Sequence, residues 1–187
     1  MTPRSANPKP QPIRAAWEQA WPEALEVWSR FVQLHEPAWC LTTADEKREH
    51  LSESFAMIRL FDHSVVISLR QVEALELSRF AREILAHEIG HHVYCPADLT
   101  DNARLLARTR AGLPTKEHAA PLIANLYADL LINDRLQRSA LLDMSGVYRQ
   151  LGSECRDRLW TVYMRIYEVL WRLERGTLAK GDCSPRL

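Results

Sequence analysis

The chain has 187 residues, 47% of them hydrophobic and 26% charged, with 24 basic against 24 acidic side chains. That length and balance fit a soluble globular domain with a real core. The zero net charge argues against a nucleic-acid binder, and against an acidic tail or cation buffer. The four cysteines, Cys40, Cys95, Cys155 and Cys183, are far apart and form no C-x-x-C. A Cys₄ zinc site or a disulfide framework is not expected; reduced thiols in a cytoplasmic protein are. No apolar run reaches the roughly 18 residues of a membrane span.

In chain order, residues 1–12 carry Pro3, Pro8, Pro10 and Pro12 and no apolar run. They read as a flexible Pro-rich arm and not as a signal peptide. Ile13 to His35 predicts a helix with a wide apolar face, on which Trp17, Trp21 and Trp28 read as core, with ligand stacking as the other role. Pro22 should kink or split it. Glu36 to Trp39 and Thr42 to Glu53 read as a polar connection, helical in part over Ala44 to His50. The period then changes. Two short apolar runs, Ser54 to Phe61 and Val65 to Arg70, flank Asp62-His63-Ser64 and predict a β-hairpin. Leu75 to Ala86 runs without Gly or Pro, apolar at 77, 80, 81, 84 and 85, and predicts a helix that Cys95-Pro96 closes.

Further helices are expected over 97–111, 119–137, 142–151 and 154–175. The first would have Leu99, Ala103, Leu106 and Ala107 as its apolar side and Asp98 or Thr100 as its cap. Pro121 suits the first turn of the second. The last carries Trp160, Tyr163, Tyr167 and Trp171 three to four apart, widened by Val162, Ile166, Val169 and Leu173. That stripe reads as core packing or as a partner-helix surface. The expected architecture is a mostly helical α+β domain over 13–176, with a short antiparallel sheet near 54–70 and a flexible tail over 177–187.

The chemistry concentrates at Ile84-Leu85-Ala86-His87-Glu88-Ile89-Gly90-His91-His92-Val93, which contains H-E-x-x-H. On a helix, residues four apart stand on one face. His87 and His91 can therefore bind one zinc ion, and Glu88 can act as general base on a water there. The plain alternative is a surface helix with solvated His and Glu. His92 points about 100° away from His91 and reads as a supporting or surface residue.

A catalytic zinc takes three protein ligands and keeps a fourth position open. The best source of the third is the helix around Asp129, whose neighbours Ala128, Leu130, Leu131 and Ile132 are apolar. A carboxylate in such surroundings needs a partner of opposite charge. Zinc is one candidate; Arg82 or Arg135 is the other. Asn125 and Asn133 lie one turn before and after Asp129 and can hold ligands in orientation. Asp134, Glu117 and His118 remain rivals for the third position.

Val65 to Tyr94, a strand, a helix and H-E-I-G-H-H, resembles the zincin metallopeptidases, which implies a small sheet against two packed helices. Ala124-Asn125-Leu126-Tyr127-Ala128-Asp129-Leu130-Leu131 is similar to the A-N-x-F-A-x-x-L-L helix of ImmA/IrrE-type peptidases. Those carry a Glu ligand a few residues before the Ala-Asn pair. Here that region reads His118-Ala119-Ala120-Pro121-Leu122-Ile123, which favours Asp129 as an aspartate variant. The chain also looks like the bacterial metallopeptidases associated with MoxR ATPases and von Willebrand-type domains, where an N-Y-x-D-x-x-I-N-D run follows H-E-x-G-H. The resemblance spans about Val65 to Leu136.

The expected function is therefore a Zn²⁺-dependent peptidase acting on a peptide or protein substrate. An edge strand beside the motif helix can hold that substrate extended, and Tyr94 or Tyr127 is a candidate to steady the oxyanion. Restricted access or a regulatory protein partner would suit a cytoplasmic protease. The alternative is a metal-stabilised, non-catalytic adaptor working with an ATPase or chaperone-like partner. A helical nucleic-acid regulator is the third reading, against which the zero charge weighs.

Overall fold

Strand β3 (Ser64–Ser68) is the centre of a three-stranded sheet in the computed structural model, which describes residues 12–51, 54–152 and 158–179. Its Val65, Val66 and Ile67 are all buried, as a central strand covered on both faces requires. On one side β2 (Ala56–Arg59) pairs antiparallel, with Ala56 opposite Ile67 and Arg59 opposite Ser64. The Asp62 carboxylate accepts the Ser64 N–H at 3.0 Å and closes the turn. This is the expected hairpin, and β2 is an edge strand. On the other side β1 (Ala38–Cys40) pairs parallel, Ala38 opposite Val66. The sheet is thus mixed and not purely antiparallel. β1 falls where a polar connection was expected, because three residues are too few to display a period of two.

Helix α1 (Pro12–Trp28) runs unbroken past Pro22 and stops well short of His35. Ile13, Trp17, Trp21 and Ala24 bury one face of it. That burial, worth about 1.5–3 kcal/mol for each large side chain, outweighs the single hydrogen bond Pro22 removes. The Trp17 indole N–H donates to Ser78 O at 3.1 Å and that of Trp28 to Ala86 O at 2.7 Å. Both bonds tie α1 to the chain leading through the H-E-x-x-H motif.

Helix α2 (Thr43–Arg48) starts in a Thr42/Asp45 capping box, one residue before the expected helical stretch, and ends two residues before its end. Its buried Glu46 accepts from the Ser68 hydroxyl, from Arg70 Nη2 at 2.9 Å and from Gln71 Nε2 at 3.1 Å. This locks α2 to the junction where β3 becomes α3 (Leu69–Ala74). That helix corrects two expectations. The strand ends at Ser68, whose hydroxyl caps α3, and the helix expected from Leu75 is interrupted. Glu76 takes a left-handed conformation at φ 56°, and a 3₁₀ turn (Ser78–Phe80) precedes α4 (Ala81–Val93). Val72, Leu77, Phe80 and Ile84 all enter the same core. The break is set by that packing, so neither Gly nor Pro marks it.

Helix α5 (Leu99–Gly112) is capped by Asp98, which accepts the Asp101 N–H at 2.9 Å. None of its residues is buried, so the apolar side expected from Leu99, Ala103, Leu106 and Ala107 is not a core face. α6 (Ala120–Arg138) crosses α4, with Pro121 in its first turn as expected. α7 (Met144–Gln150) is followed by α8 (Arg158–Leu170), which ends earlier than the expected Arg175. Tyr163, Met164 and Tyr167 of α8 are buried, whereas Val162, Ile166 and Val169 are exposed; the core stripe is narrower than its spacing suggested. No helix among the described residues is long and apolar enough to cross a membrane. The expected arm over 1–12 lies almost wholly outside the described residues. Leu178 and Ala179, expected in the tail, are buried.

That C-terminal segment is held by Glu168. Its Oε1 accepts the N–H groups of Gly176 at 3.1 Å, Leu178 at 2.7 Å and Ala179 at 3.2 Å, while Oε2 meets Arg165. Burial disfavours the charged form, but the Leu178 N–H, Arg165 and the other two N–H groups outweigh it and hold the carboxyl below its ordinary value of 4.5. A depressed pKa contributes stability above the unfolded-state value that is lost as pH falls through the folded-state one. Glu168→Gln should therefore lower stability by about 1–3 kcal/mol at pH 7, with the deficit shrinking below pH 4.5. Urea unfolding of parent and variant across pH 3–7 reads this; a deficit independent of pH would contradict it.

Candidate metal centre

The motif lies on α4 because Ile84, Leu85 and Ile89 drive one face of that helix into the core. This leaves His87 and His91, one turn apart, turned towards α6. The two helices approach closely because of what they lack. Ala124 and Ala128 present small buried side chains on α6. Gly90 has no room for a Cβ, which would stand 2.7 Å from both Ile132 Cγ2 and Trp28 Cζ2. The motif glycine is thus a packing requirement.

At this crossing Asp129 meets both histidines. Its Oδ1 is 3.2 Å from His91 Nε2 and 3.6 Å from His87 Nε2, and the ligand atoms of all three residues lie within 4.8 Å of one another. The other ring nitrogens are committed. His87 Nδ1 faces Asn133 Oδ1 at 2.7 Å, and His91 Nδ1 faces the Cys95 carbonyl at 3.1 Å. Asn133 donates its amide N–H groups to the hydroxyls of Tyr148 and Tyr167, each at 2.8 Å. Its Oδ1 is therefore the acceptor, and His87 Nδ1 is the donor. A carbonyl can only accept, so His91 Nδ1 is a donor as well. In the neutral imidazoles this leaves both Nε2 atoms as bare lone pairs.

The group can hold a metal ion. Asp129 Oδ2 accepts from Asn125 Nδ2 at 3.0 Å, while Oδ1 is buried with no hydrogen-bond partner. Two imidazole nitrogens and an unsatisfied carboxylate oxygen face one point, a donor set that suits a cation. The 3.2 and 3.6 Å spacings bracket the roughly 3.3 Å edge of a tetrahedron with bonds of about 2.0–2.1 Å.

Glu88 faces the same cleft and is almost fully buried. Burial raises its pKa, a positive charge on the His87 ring, when protonated, opposes the rise, Asp129 adds to it and a hydrogen bond from the Ile58 N–H lowers it, for a value of about 7 in the metal-free chain. Two adjoining recesses open over these groups and share Ser54, His87, Glu88 and Asp129. The larger, about 230 Å³, is bounded by β2 residues Ala56, Met57 and Ile58, with Leu60 and Asn125. The smaller, about 120 Å³, runs under α7.

The expected residues His87, Glu88, His91, Asp129, Asn125 and Asn133 all meet here. His92 does not; its ring packs 4.0 Å from that of His63, on another side of α4. Asp134 is bonded to Arg138 one turn on, and Glu117 and His118 sit in a 3₁₀ turn outside the cluster. Neither arginine neutralises Asp129: Arg82 is exposed, and Arg135 stacks over Trp28 and Tyr94 at 5.4 and 5.2 Å. Tyr94 and Tyr127, expected as oxyanion candidates, line a separate surface hollow. Sequence reasoning missed the Cys95 carbonyl, the Tyr148–Tyr163–Tyr167 hydroxyl cluster and the contribution of α7. Only the tyrosines had a signal, their four-residue spacing at 163 and 167.

Compared with family models, curated proteins and solved structures, the chain matches none.

Removing the amide that orients His87 should weaken metal binding without abolishing it. Asn133→Ala should lower affinity by about 10–100-fold, measured by chelator competition on protein whose circular dichroism is intact. Unchanged affinity would mean that Asn133 does not position His87.

Proposed function

We propose that this chain is a zinc-dependent peptidase with a zincin-like arrangement, in which His87, His91 and Asp129 bind the metal and Glu88 is the general base. The observation that carries the reading is the position of Glu88. It is a buried carboxylate, one residue along from a metal-ligand candidate, facing a cleft whose other side is an edge strand. A module that used metal only for stability would gain nothing from burying that group.

Zinc, when bound, would supply Lewis acidity and an activated water. The remaining steps belong to the chain. Glu88 accepts a proton from the attacking water and returns it to the leaving amine. Burial favours the protonated form of that carboxyl and so helps it to hold the proton between the two transfers. Asn133 and the Cys95 carbonyl keep both imidazoles presenting Nε2. Asn125 keeps Asp129 aimed at the same point. Strand β2 has one edge paired with β3 and borders the cleft with the other, so an extended peptide added along it would replace the Ser54 hydroxyl's bonds to Ala56. The substrate class is thus a peptide or an exposed segment of a protein, and a protein partner that presents such a segment fits the same strand.

Glu88→Gln should retain zinc while kcat on a susceptible peptide falls by about 10²–10⁴-fold. Zinc content and turnover, read on the same preparation, test this. Hydrolysis persisting at the parent rate would remove Glu88 from the mechanism.

A further inference from the structure

We infer that the smaller recess is a specificity pocket for one medium-sized aliphatic side chain, of leucine or methionine size, beside the scissile bond, and that Met144 and Val147 of α7 select it. The inference deepens the peptidase reading and rests on it.

The recess shares His87, Glu88 and Asp129 with the larger cleft. A side chain lodged in it places its own backbone against the groups that do the chemistry. Besides Ser54, Asn133 and Tyr148, its walls are Phe55, Ile84, Met144, Val147 and Leu151, which offer no hydrogen bond. His87, Glu88 and Asp129 border it only at the end it shares with the larger cleft, where the metal position lies; its other polar neighbours are engaged, Ser54 with the Ala56 carbonyl and Tyr148 with Asn133. Asn133 gives its N–H groups to Tyr148 and Tyr167 and its oxygen to His87. A polar side chain lodged beyond the metal position would lose its water and find no free partner on those walls. Size sets the other limit. An apolar cavity of about 150 Å³ holds a benzene molecule; one of about 120 Å³ suits a branched four-carbon group and excludes an indole. The larger cleft differs: His91, Asn125 and strand β2 border it and not the smaller recess, so it favours main chain over a bulky apolar group.

The selecting wall is rigid. Asp143 caps α7 by accepting the Gly146 N–H at 2.8 Å and the Ser145 hydroxyl at 2.9 Å. A Cβ on Gly146 would stand 2.1 Å from Asp143 Oδ2, so this cap needs glycine. The Ser145 N–H donates to Gln137 Oε1 at 2.9 Å and fastens α7 to α6, the helix that carries Asp129. Met144 and Val147 are both buried in this setting. A pocket wall fixed to the ligand-bearing helix discriminates by shape without first having to order itself.

The test uses hydroxamates, R–CO–NHOH, which chelate an open zinc site, titrated by calorimetry into the zinc-loaded full chain. Acetohydroxamate reports the metal alone; 4-methylpentanohydroxamate adds an isobutyl group, and an indole-bearing analogue exceeds the recess. The quantity read is the ratio of affinities within each protein. In the parent, the isobutyl compound should bind about 10–100-fold tighter than acetohydroxamate, and the indole compound should gain nothing. Val147→Phe should collapse the isobutyl gain, and Met144→Ala should let the indole compound gain. Binding of acetohydroxamate with no isobutyl gain, or an isobutyl gain unchanged by both substitutions, overturns the pocket and leaves the metal site standing. Failure of every hydroxamate to bind the zinc-loaded chain overturns the peptidase reading, and the pocket with it.

Discussion

The close crossing of α4 and α6 is the constraint on which the rest depends. An aspartate is short. Asp129 reaches two imidazoles on the neighbouring helix only because Gly90, Ala124 and Ala128 remove the side chains that would hold the helices apart. Trp28 presses on Gly90 from α1 and donates to the Ala86 carbonyl, so α1 backs the crossing from behind. Much of the apolar core, from Trp17 through Leu85 to Ile132, is therefore organised to bring one carboxylate within 3.2 Å of an imidazole nitrogen.

Polar order around the cluster is built outward in layers. The two Nδ1 atoms are held by an amide oxygen and a main-chain carbonyl, and the amide is in turn held by two tyrosine hydroxyls. Tyr163 joins Tyr167 at 2.6 Å, and the Tyr167 hydroxyl also donates to the Asp129 carbonyl oxygen at 3.1 Å. Burial pushes the phenol pKa values of these tyrosines upward, so they stay neutral donors throughout the working pH range. A network in which every member has a partner rigidifies its site, whereas a half-satisfied one would destabilise it. Asp129 Oδ1 is the unsatisfied atom at the centre of this one, and it faces the two bare imidazole nitrogens.

What could be read from sequence was what is local. His87, Glu88 and His91 declare themselves because a helix repeats every 3.6 residues and their offsets are short. Asp129 shows as a charge in an apolar run, and Asn125 and Asn133 follow from the same four-residue step. The hairpin of β2 and β3 shows because its strands are adjacent and its turn residues are distinctive. The parts that stayed hidden depend on chain returning from a distance. β1 is recognisable as a strand only by pairing with β3, and the reversal at Glu76 is set by where Val72 and Leu77 must bury. The Cys95 carbonyl has no side-chain signature, and the recess needs α7 to fold back beside Ile84 and Phe55. The exposed outer face of α8 shows the opposite limit, since its apolar spacing suggested burial the fold does not provide.

The most direct test of the account is metal content by elemental mass spectrometry on purified protein, parent beside Asp129→Ala. The parent should hold close to one zinc ion per chain and lose it when the short carboxylate is removed. A parent that holds no zinc even after reconstitution, or an Asp129→Ala chain that holds as much as the parent, would contradict it.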